Sequence, residues 1–342
     1  MKLTHALAGA AVLSLCVLHA VQPAVVAAAA GDKVERTVRE EVVKAIRADP
    51  GVGPALIRLV FHDCWVNGCD GSVLLDTTPF NSSSGVEKAA ANNIGLRGFD
   101  VIDAIKAKLG DAVSCADIVV LAGRDAATIL SRGRITYAVE TGRKDGVVSS
   151  AAAADATLPE STFDINQLTD NFARKNFTVE ELVALAGAHA VGVSHLSSFH
   201  DRINATTETP INRRYQTALA KDVEALKSKQ GSTDPTETFN IRDMDAGFRN
   251  ASGFDATGVD MAAVGVLDNS FYHANLQNMV LLRSDWELVN GTESIHSLLV
   301  FKDNATKWEM EFAAAMAKLS ELPAEGTRFE IRKSCRATND HN

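Results

Sequence analysis

Four cysteines, Cys64, Cys69, Cys115 and Cys335, limit what this chain can fold into more than any other feature. A fifth, Cys16, lies in the opening stretch MKLTHALAGAAVLSLCVLHAVQPAVVAAAA. That stretch has Lys2 near its start, then a short apolar run, then small residues, which is the pattern of a secretory signal peptide over residues 1–30. Gln22 and Pro23 interrupt the run, so it does not read as a membrane span. Cleavage is expected near Ala30–Gly31, leaving residues 31–342 as one domain. An even cysteine count in an exported chain implies two disulfides, with three possible pairings. The close spacing of Cys64 and Cys69 suggests one local loop, and Cys115 with Cys335 would then tie the middle of the chain to its end. Closing so long a loop is worth roughly 4–5 kcal/mol in a chain-entropy account.

Six N-x-S/T sequons, at Asn81, Asn176, Asn204, Asn250, Asn290 and Asn304, agree with export and offer sites for N-glycans. The net charge of −9 gives no overall basic field to draw the chain onto nucleic acid. No segment after the leader reads as a bilayer span.

Most of the remaining chain reads as helix. KVERTVREEVVKAIRADP spaces Val34, Val38, Val42 and Ile46 four apart and stops at Pro50. RGFDVIDAIKAKLG puts Phe99, Ile102 and Ile105 on one face, and SCADIVVLAGRDAATIL is apolar nearly all round, so it is expected at the centre. TFDINQLTDNFARKN reads as a short helix. TVEELVALAGAHAVG opens on a capping box of Thr178 and Glu181. NATKWEMEFAAAMAKLSEL turns Trp308, Phe312, Ala315, Met316 and Leu319 one way. The best strand signal is RITYAVE; residues 77–95, 138–162 and 229–258 read as loops. The expected class is mainly α, with roughly ten helices and little β.

Three constellations carry chemistry. Arg58 and His62 are four apart, one turn apart on one helix face, with Phe61 beside them. They could simply cap the helix C-terminus. As a cation and a titratable ring in one pocket, they could also move a proton and stabilise an anion. In HDCWVNGCDGS, Asp63, Asp70 and Ser72 supply hard oxygen donors and Val66 and Gly68 can add carbonyls, which suits Ca²⁺. A solvated, disulfide-closed turn is the plain alternative, and Zn²⁺ on Cys64, Cys69 and His62 a third. His189 sits among Ala186, Gly187, Ala188 and Ala190, where a flat, large group such as a haem with one axial imidazole could pack. His195 and His200 do not align with it on one helix face and read as surface or loop residues.

The blocks RLVFHDCWVNGCDGSVLLD, EKAAANNIGLRGFDVID, VSCADIVVLAGRDA, ELVALAGAHAVG and SDWELV stand in the order found in plant secretory haem peroxidases, the class III enzymes of the horseradish type. The resemblance runs from about residue 34 to about residue 336. It implies the haem peroxidase fold, with a distal and a proximal lobe and haem b between them. His62 resembles the distal acid–base histidine, Arg58 the distal arginine, Phe61 the aromatic over the haem edge, and Asn92 the asparagine that hydrogen-bonds the distal histidine. His189 resembles the proximal iron ligand and Asp285 its carboxylate partner. Asp63, Val66, Gly68, Asp70 and Ser72 match a distal Ca²⁺ site with Glu87 behind it, and Asp260 and Asp268 match two carboxylates of a proximal one. Leu158–Pro159 matches the substrate edge, and Cys64–Cys69 with Cys115–Cys335 match two family disulfides. The implied activity is H₂O₂ reduction with one-electron oxidation of small phenolic donors, by a monomer in the cell wall, apoplast or vacuole.

The chain departs from this pattern in places. The family usually carries eight cysteines, and Leu196 stands where one would follow His189. Ala190 and Ala263 replace threonine ligands of the proximal Ca²⁺ site, Val191 and Val259 replace aromatics, and Trp65 replaces a phenylalanine. These losses raise a second reading, a non-catalytic Ca²⁺-binding glycoprotein of the same fold. A metal-dependent hydrolase using the His and Asp residues is a third.

Overall fold

The computed structural model describes residues 33–79, 81–204, 209–230, 240–243 and 265–339. The leader, Asn250, Val259, Asp260 and Ala263 lie outside these residues, so the expectations attached to them do too.

Helix α1 runs over residues 33–48, with Val38 and Val42 buried as their spacing requires. Then come α2 (Val52–Asn67), α3 (Phe99–Leu109), α4 (Cys115–Leu130), α5 (Ala151–Thr157), α6 (Ile165–Ala173) and α7 (Val179–Ala186). They are followed by α8 (His200–Ile203), α9 (Arg213–Gln230), α10 (Ser270–Asn275), α11 (Arg283–Glu287), α12 (Thr292–Asp303) and α13 (Ala305–Ser320). The described residues therefore hold more helices than the roughly ten expected. The surplus consists of short pieces such as α8, α10 and α11, too brief to show a helical period in sequence.

Polar side chains start these helices, and the box of Thr178 and Glu181 is where the sequence places it. The Asp117 N–H donates to the Ser114 hydroxyl at the start of α4. At α7 the Glu181 N–H donates to Thr178 Oγ1 at 3.2 Å, and the Thr178 N–H donates back to Glu181 Oε2 at 2.7 Å. A similar box of Asp164 and Gln167 opens α6.

The apolar α4 is the central helix, and α2 packs along it. Gly123 makes this close approach possible, because a Cβ there would lie 2.2 Å from Val60 Cγ2. Helix α2 thus presents Arg58 and His62 from a rigid, buried base. On the other side α7 is held by α12 and α13, and Trp308, Phe312, Ala315, Met316 and Leu319 are all buried.

The β content is small. β1 (Asp145–Gly146) pairs antiparallel with β4 (Phe329–Glu330), and β2 (Val193–His195) with β3 (Asn240–Asp243). RITYAVE is not a strand. Residues 135–140 have no ladder partner, although Ile135 and Val139 are buried in alternation. The alternation is satisfied by packing alone. Residues 77–95 and 138–162 are not all loop: they contain 3₁₀ turns at Glu87–Ala89 and Ala91–Asn93, and α5. Cys64 bonds Cys69, and Cys115 bonds Cys335, joining residues 220 positions apart. Among the described residues no helix is long and apolar enough to cross a membrane.

Candidate active site

Arg58 and His62 meet on α2 as their spacing requires. Arg58 Nε–H donates to His62 Nε2 at 3.1 Å. His62 Nδ1 lies 2.6 Å from Asn93 Oδ1. An amide oxygen only accepts, so Nδ1 carries the proton and Nε2 the lone pair. Burial, helped by the Arg58 charge and by His189, holds the His62 ring down at about 3, against the Asn93 hydrogen bond. Burial likewise lowers the Arg58 guanidinium to about 10. At neutral pH the pair is therefore a neutral imidazole beside a fixed cation, with the Arg58 Nε–H on its Nε2 lone pair until a proton displaces it.

The asparagine that holds His62 is Asn93, not Asn92 as the resemblance implies. Asn92 contributes its backbone carbonyl, which accepts from Arg58 NH2 at 2.8 Å. Asn93 Nδ2 donates in turn to the Glu87 carbonyl at 2.8 Å. Both asparagines lie in the 3₁₀ turn Ala91–Asn93, where consecutive side chains diverge by a third of a turn. A doublet of asparagines does not reveal which member faces inward.

Within electrostatic reach of this pair, His189 sits in the 3₁₀ turn Gly187–Ala190 at the end of α7. Its Nδ1 is 2.8 Å from Asp285 Oδ1 on α11. The His189 side chain is 39% exposed while that of Asp285 is 4% exposed, so the ring stands out from a buried carboxylate. Burial pulls the His189 pKa down, but the Asp285 charge and hydrogen bond outweigh it and the net shift is upward. With Nδ1 engaged, Nε2 is the nitrogen left for a metal. Phe271, which sequence reasoning missed, stands edge-on to His189 at 6.3 Å.

Phe61 is half-buried and stacks on Trp65 at 4.7 Å. The Trp65 indole N–H donates to Asn171 Oδ1 at 2.9 Å, so the larger ring is accommodated and satisfied. Pro159 follows the buried Leu158 at the end of α5, partly exposed. His195 is not a plain surface residue. Its ring packs on Gly95, where a Cβ would lie 2.0 Å from His195 Cε1.

The HDCWVNGCDGS loop is wound around two buried carboxylates. Asp63 Oδ2 accepts from the Gly71 N–H at 3.0 Å, and Asp70 Oδ1 from the Ser72 N–H at 2.9 Å. Burial, then mutual repulsion, pushes Asp63 up to about 8; burial likewise pushes Asp70 up to about 6. Glu87 is raised well above the carboxylate range, again by burial first and then by Asp70 and Asp63. Ser72 Oγ and Glu87 Oε2 are buried with no hydrogen-bond partner. Crowded buried carboxylates beside an unengaged hydroxyl are the donor set of a hard cation. The Val66 carbonyl accepts from Lys175 Nζ at 3.2 Å, which uses one of its two lone pairs. Among the described residues no three His, Cys, Asp or Glu side chains form a metal cluster by themselves, so Ser72 and backbone oxygens would have to complete the shell. Asp268 accepts from the Ser270 N–H at 3.0 Å, and its expected companion Asp260 is outside the described residues.

Arg332, also missed in sequence, is fully buried behind this loop. Its NH2 group donates to the Gly71 carbonyl and its NH1 group to the Cys335 carbonyl at 3.1 Å. Its backbone N–H donates to Asp145 Oδ2 at 2.8 Å. The C-terminal segment and its disulfide are thus tied to the carboxylate loop.

Comparison with known proteins agrees with this geometry. A family model described as Peroxidase matches residues 38–304. Peroxidase 5 of Vitis vinifera is 36% identical over 315 residues, covering 89% of this chain and 88% of that protein. Peroxidase 2 of Zea mays is 37% identical over 318 residues, covering 90% and 87%. Peroxidase RIP1 of Medicago truncatula is 35% identical, covering 88% and 86%.

Proposed function

The chain belongs to the peroxidase family, and from that premise we propose that Arg58, His62 and Asn93 activate hydrogen peroxide and that His189, through Nε2, would hold the iron of a haem. The observation that carries this reading is a pair of histidines within electrostatic reach of each other. One is a neutral base fixed by Arg58 and Asn93, the other a ligand fixed by Asp285.

The residues fit a haem. The His189 ring projects from a buried partner, small residues surround it, and Phe61 lies half-buried on the distal side. When bound, haem would supply a redox-active iron to which peroxide could pass its oxidising power. His62 Nε2 takes a proton from one peroxide oxygen and returns it to the other as that oxygen leaves. Asn93 holds the Nδ1 proton in place, so Nε2 stays the basic nitrogen. Arg58, still cationic at neutral pH, stabilises negative charge on the departing oxygen. Asp285 accepts from His189 Nδ1 and makes the imidazole a stronger donor. Phenolic molecules near Pro159 would return the electrons one at a time.

Ca²⁺ is assigned to Asp63, Asp70 and Ser72 with carbonyls of Val66 and Gly68, and Glu87 behind. Export to the wall, apoplast or vacuole rests on the leader, the sequons and the plant relatives. Asn176, Asn204, Asn290 and Asn304 are exposed and Asn81 is half-buried; Asn81 Nδ2 donates to the Ser149 carbonyl at 2.8 Å and Asn290 Nδ2 to Glu287 Oε2 at 2.9 Å. The non-catalytic reading is not favoured, because the distal and proximal contacts are intact despite the lost disulfides. The test is an absorption spectrum: the haem-loaded protein should show a Soret band that shifts on adding H₂O₂ and returns on adding guaiacol. A haem-loaded protein whose band ignores peroxide would overturn the reading.

A further inference from the structure

The proximal turn rests on a chain of aromatic rings that peroxide activation leaves unused. Beyond Phe271, Tyr272 lies 5.2 Å from it between ring centroids, Trp308 lies 6.1 Å from Tyr272, and Phe312 lies 5.4 Å from Trp308. The contact with the turn is also direct. Gly187 lies against both polar rings, so that a Cβ there would come within 2.6 Å of Trp308 Nε1 and 2.7 Å of Tyr272 Oη. Tyr272 and Trp308 are fully buried.

Both rings are oxidisable, but their protons differ. A phenol gives up an electron readily only if it also loses its O–H proton. Tyr272 Oη donates to the carbonyls of Val183 at 2.9 Å and Ala184 at 3.3 Å, which cannot take that proton. Burial also raises its pKa well above the ordinary value. An indole can lose an electron and keep its N–H. Trp308 Nε1 donates to the Ala184 carbonyl at 3.1 Å, in the last turn of α7, where the helix dipole places partial negative charge. The Asp285 carboxylate adds negative potential at the Tyr272 ring, which is in contact with Trp308. On the distal side, Trp65 donates to a neutral amide and shares its helix with cationic Arg58. A positive charge is therefore favoured on Trp308 over Trp65.

We propose that Trp308 is an internal one-electron donor to the haem, used when peroxide arrives and no phenol is bound. This rests on the haem reading above. Hydrogen peroxide takes two electrons and two protons and leaves as two waters. Trp308 returns one of the electrons the haem has lost, through the intervening rings, and its indole becomes a cation radical that keeps its proton. A phenol later restores it, giving one electron and releasing its own proton, and a second phenol gives the electron the haem still lacks together with the second proton.

The test mixes haem-loaded full-length protein with H₂O₂ and no donor, freezes it for electron paramagnetic resonance, and maps oxidised side chains by peptide mass spectrometry. The expected result is an indole radical in the wild type, lost in Trp308→Phe and kept in Tyr272→Phe. Oxidation products should collect on Trp308 ahead of the other two tryptophans, Trp65 and Trp286. An undiminished radical in Trp308→Phe, or oxidation settling first on Trp65 or Trp286, would overturn the proposal. The wild-type peptide map decides the matter even if the variant misfolds. A Soret band confirms that haem is loaded, so a loaded protein without the radical defeats this inference alone, whereas a protein that takes up no haem defeats the haem reading with it.

Discussion

Asn93 Oδ1 stands 2.6 Å from His62 Nδ1, and this contact decides which ring nitrogen of His62 carries the proton. Because Arg58 Nε–H points at Nε2, both ring nitrogens have assigned roles. Asn93→Ala should slow the reaction with peroxide about 10–100-fold, the usual cost of losing a group that orients a first-contact ligand or base. Asn92→Ala keeps the carbonyl that Arg58 uses and should stay near wild type. Stopped-flow rates of the two variants check this. Equal losses would contradict the assignment.

The acid limb of the pH profile follows from the depressed His62 pKa. With the folded value near 3 and the unfolded one near the ordinary 6.5, the folded protein resists protonation. The rate with peroxide should be flat through neutral and mildly acidic pH and fall as pH drops through about 3. His62 likewise contributes stability that is full above about 6.5 and lost as pH falls toward about 3. Arg58→Leu removes a charge that depresses His62, so the acid limb should move to higher pH. A limb that stays in place would contradict it.

Chelation should loosen the distal loop. Removing Ca²⁺ leaves Asp63, Asp70 and Glu87 buried with only Arg332 and hydrogen bonds to offset them. The melting temperature should drop on adding EGTA and recover with Ca²⁺, and Asp70→Asn should blunt the recovery. Calorimetric scans with and without chelator measure it. Identical scans would remove the cation from the account.

The long disulfide should matter more than the short one. In a chain-entropy account, closing the loop between Cys115 and Cys335 is worth about 5 kcal/mol, and Arg332 bonds the Cys335 carbonyl from behind the carboxylate loop. Cys335→Ser should therefore shift the urea midpoint further than Cys64→Ser. The reverse order would contradict it.

How much of this was legible in the sequence depended on how local the signal was. Arg58 with His62, and Thr178 with Glu181, are fixed by spacing along one helix or its first turn, and both pairs appear where expected. Asn93 was missed because a one-residue shift inside a 3₁₀ turn leaves no periodic trace. Ile135 and Val139 imitate a strand because burial on one side produces the same alternation with or without a ladder. Arg332, Phe271 and Trp308 act through partners far away in the chain, which no local pattern encodes.

If His62 is the base for peroxide, the second-order rate of H₂O₂ with haem-loaded His62→Ala must show it. General acid–base catalysis contributes about 10²–10⁴-fold, so the account predicts a loss in that range with the Soret band retained. A haem-loaded His62→Ala protein that reacts within about tenfold of wild type would contradict it.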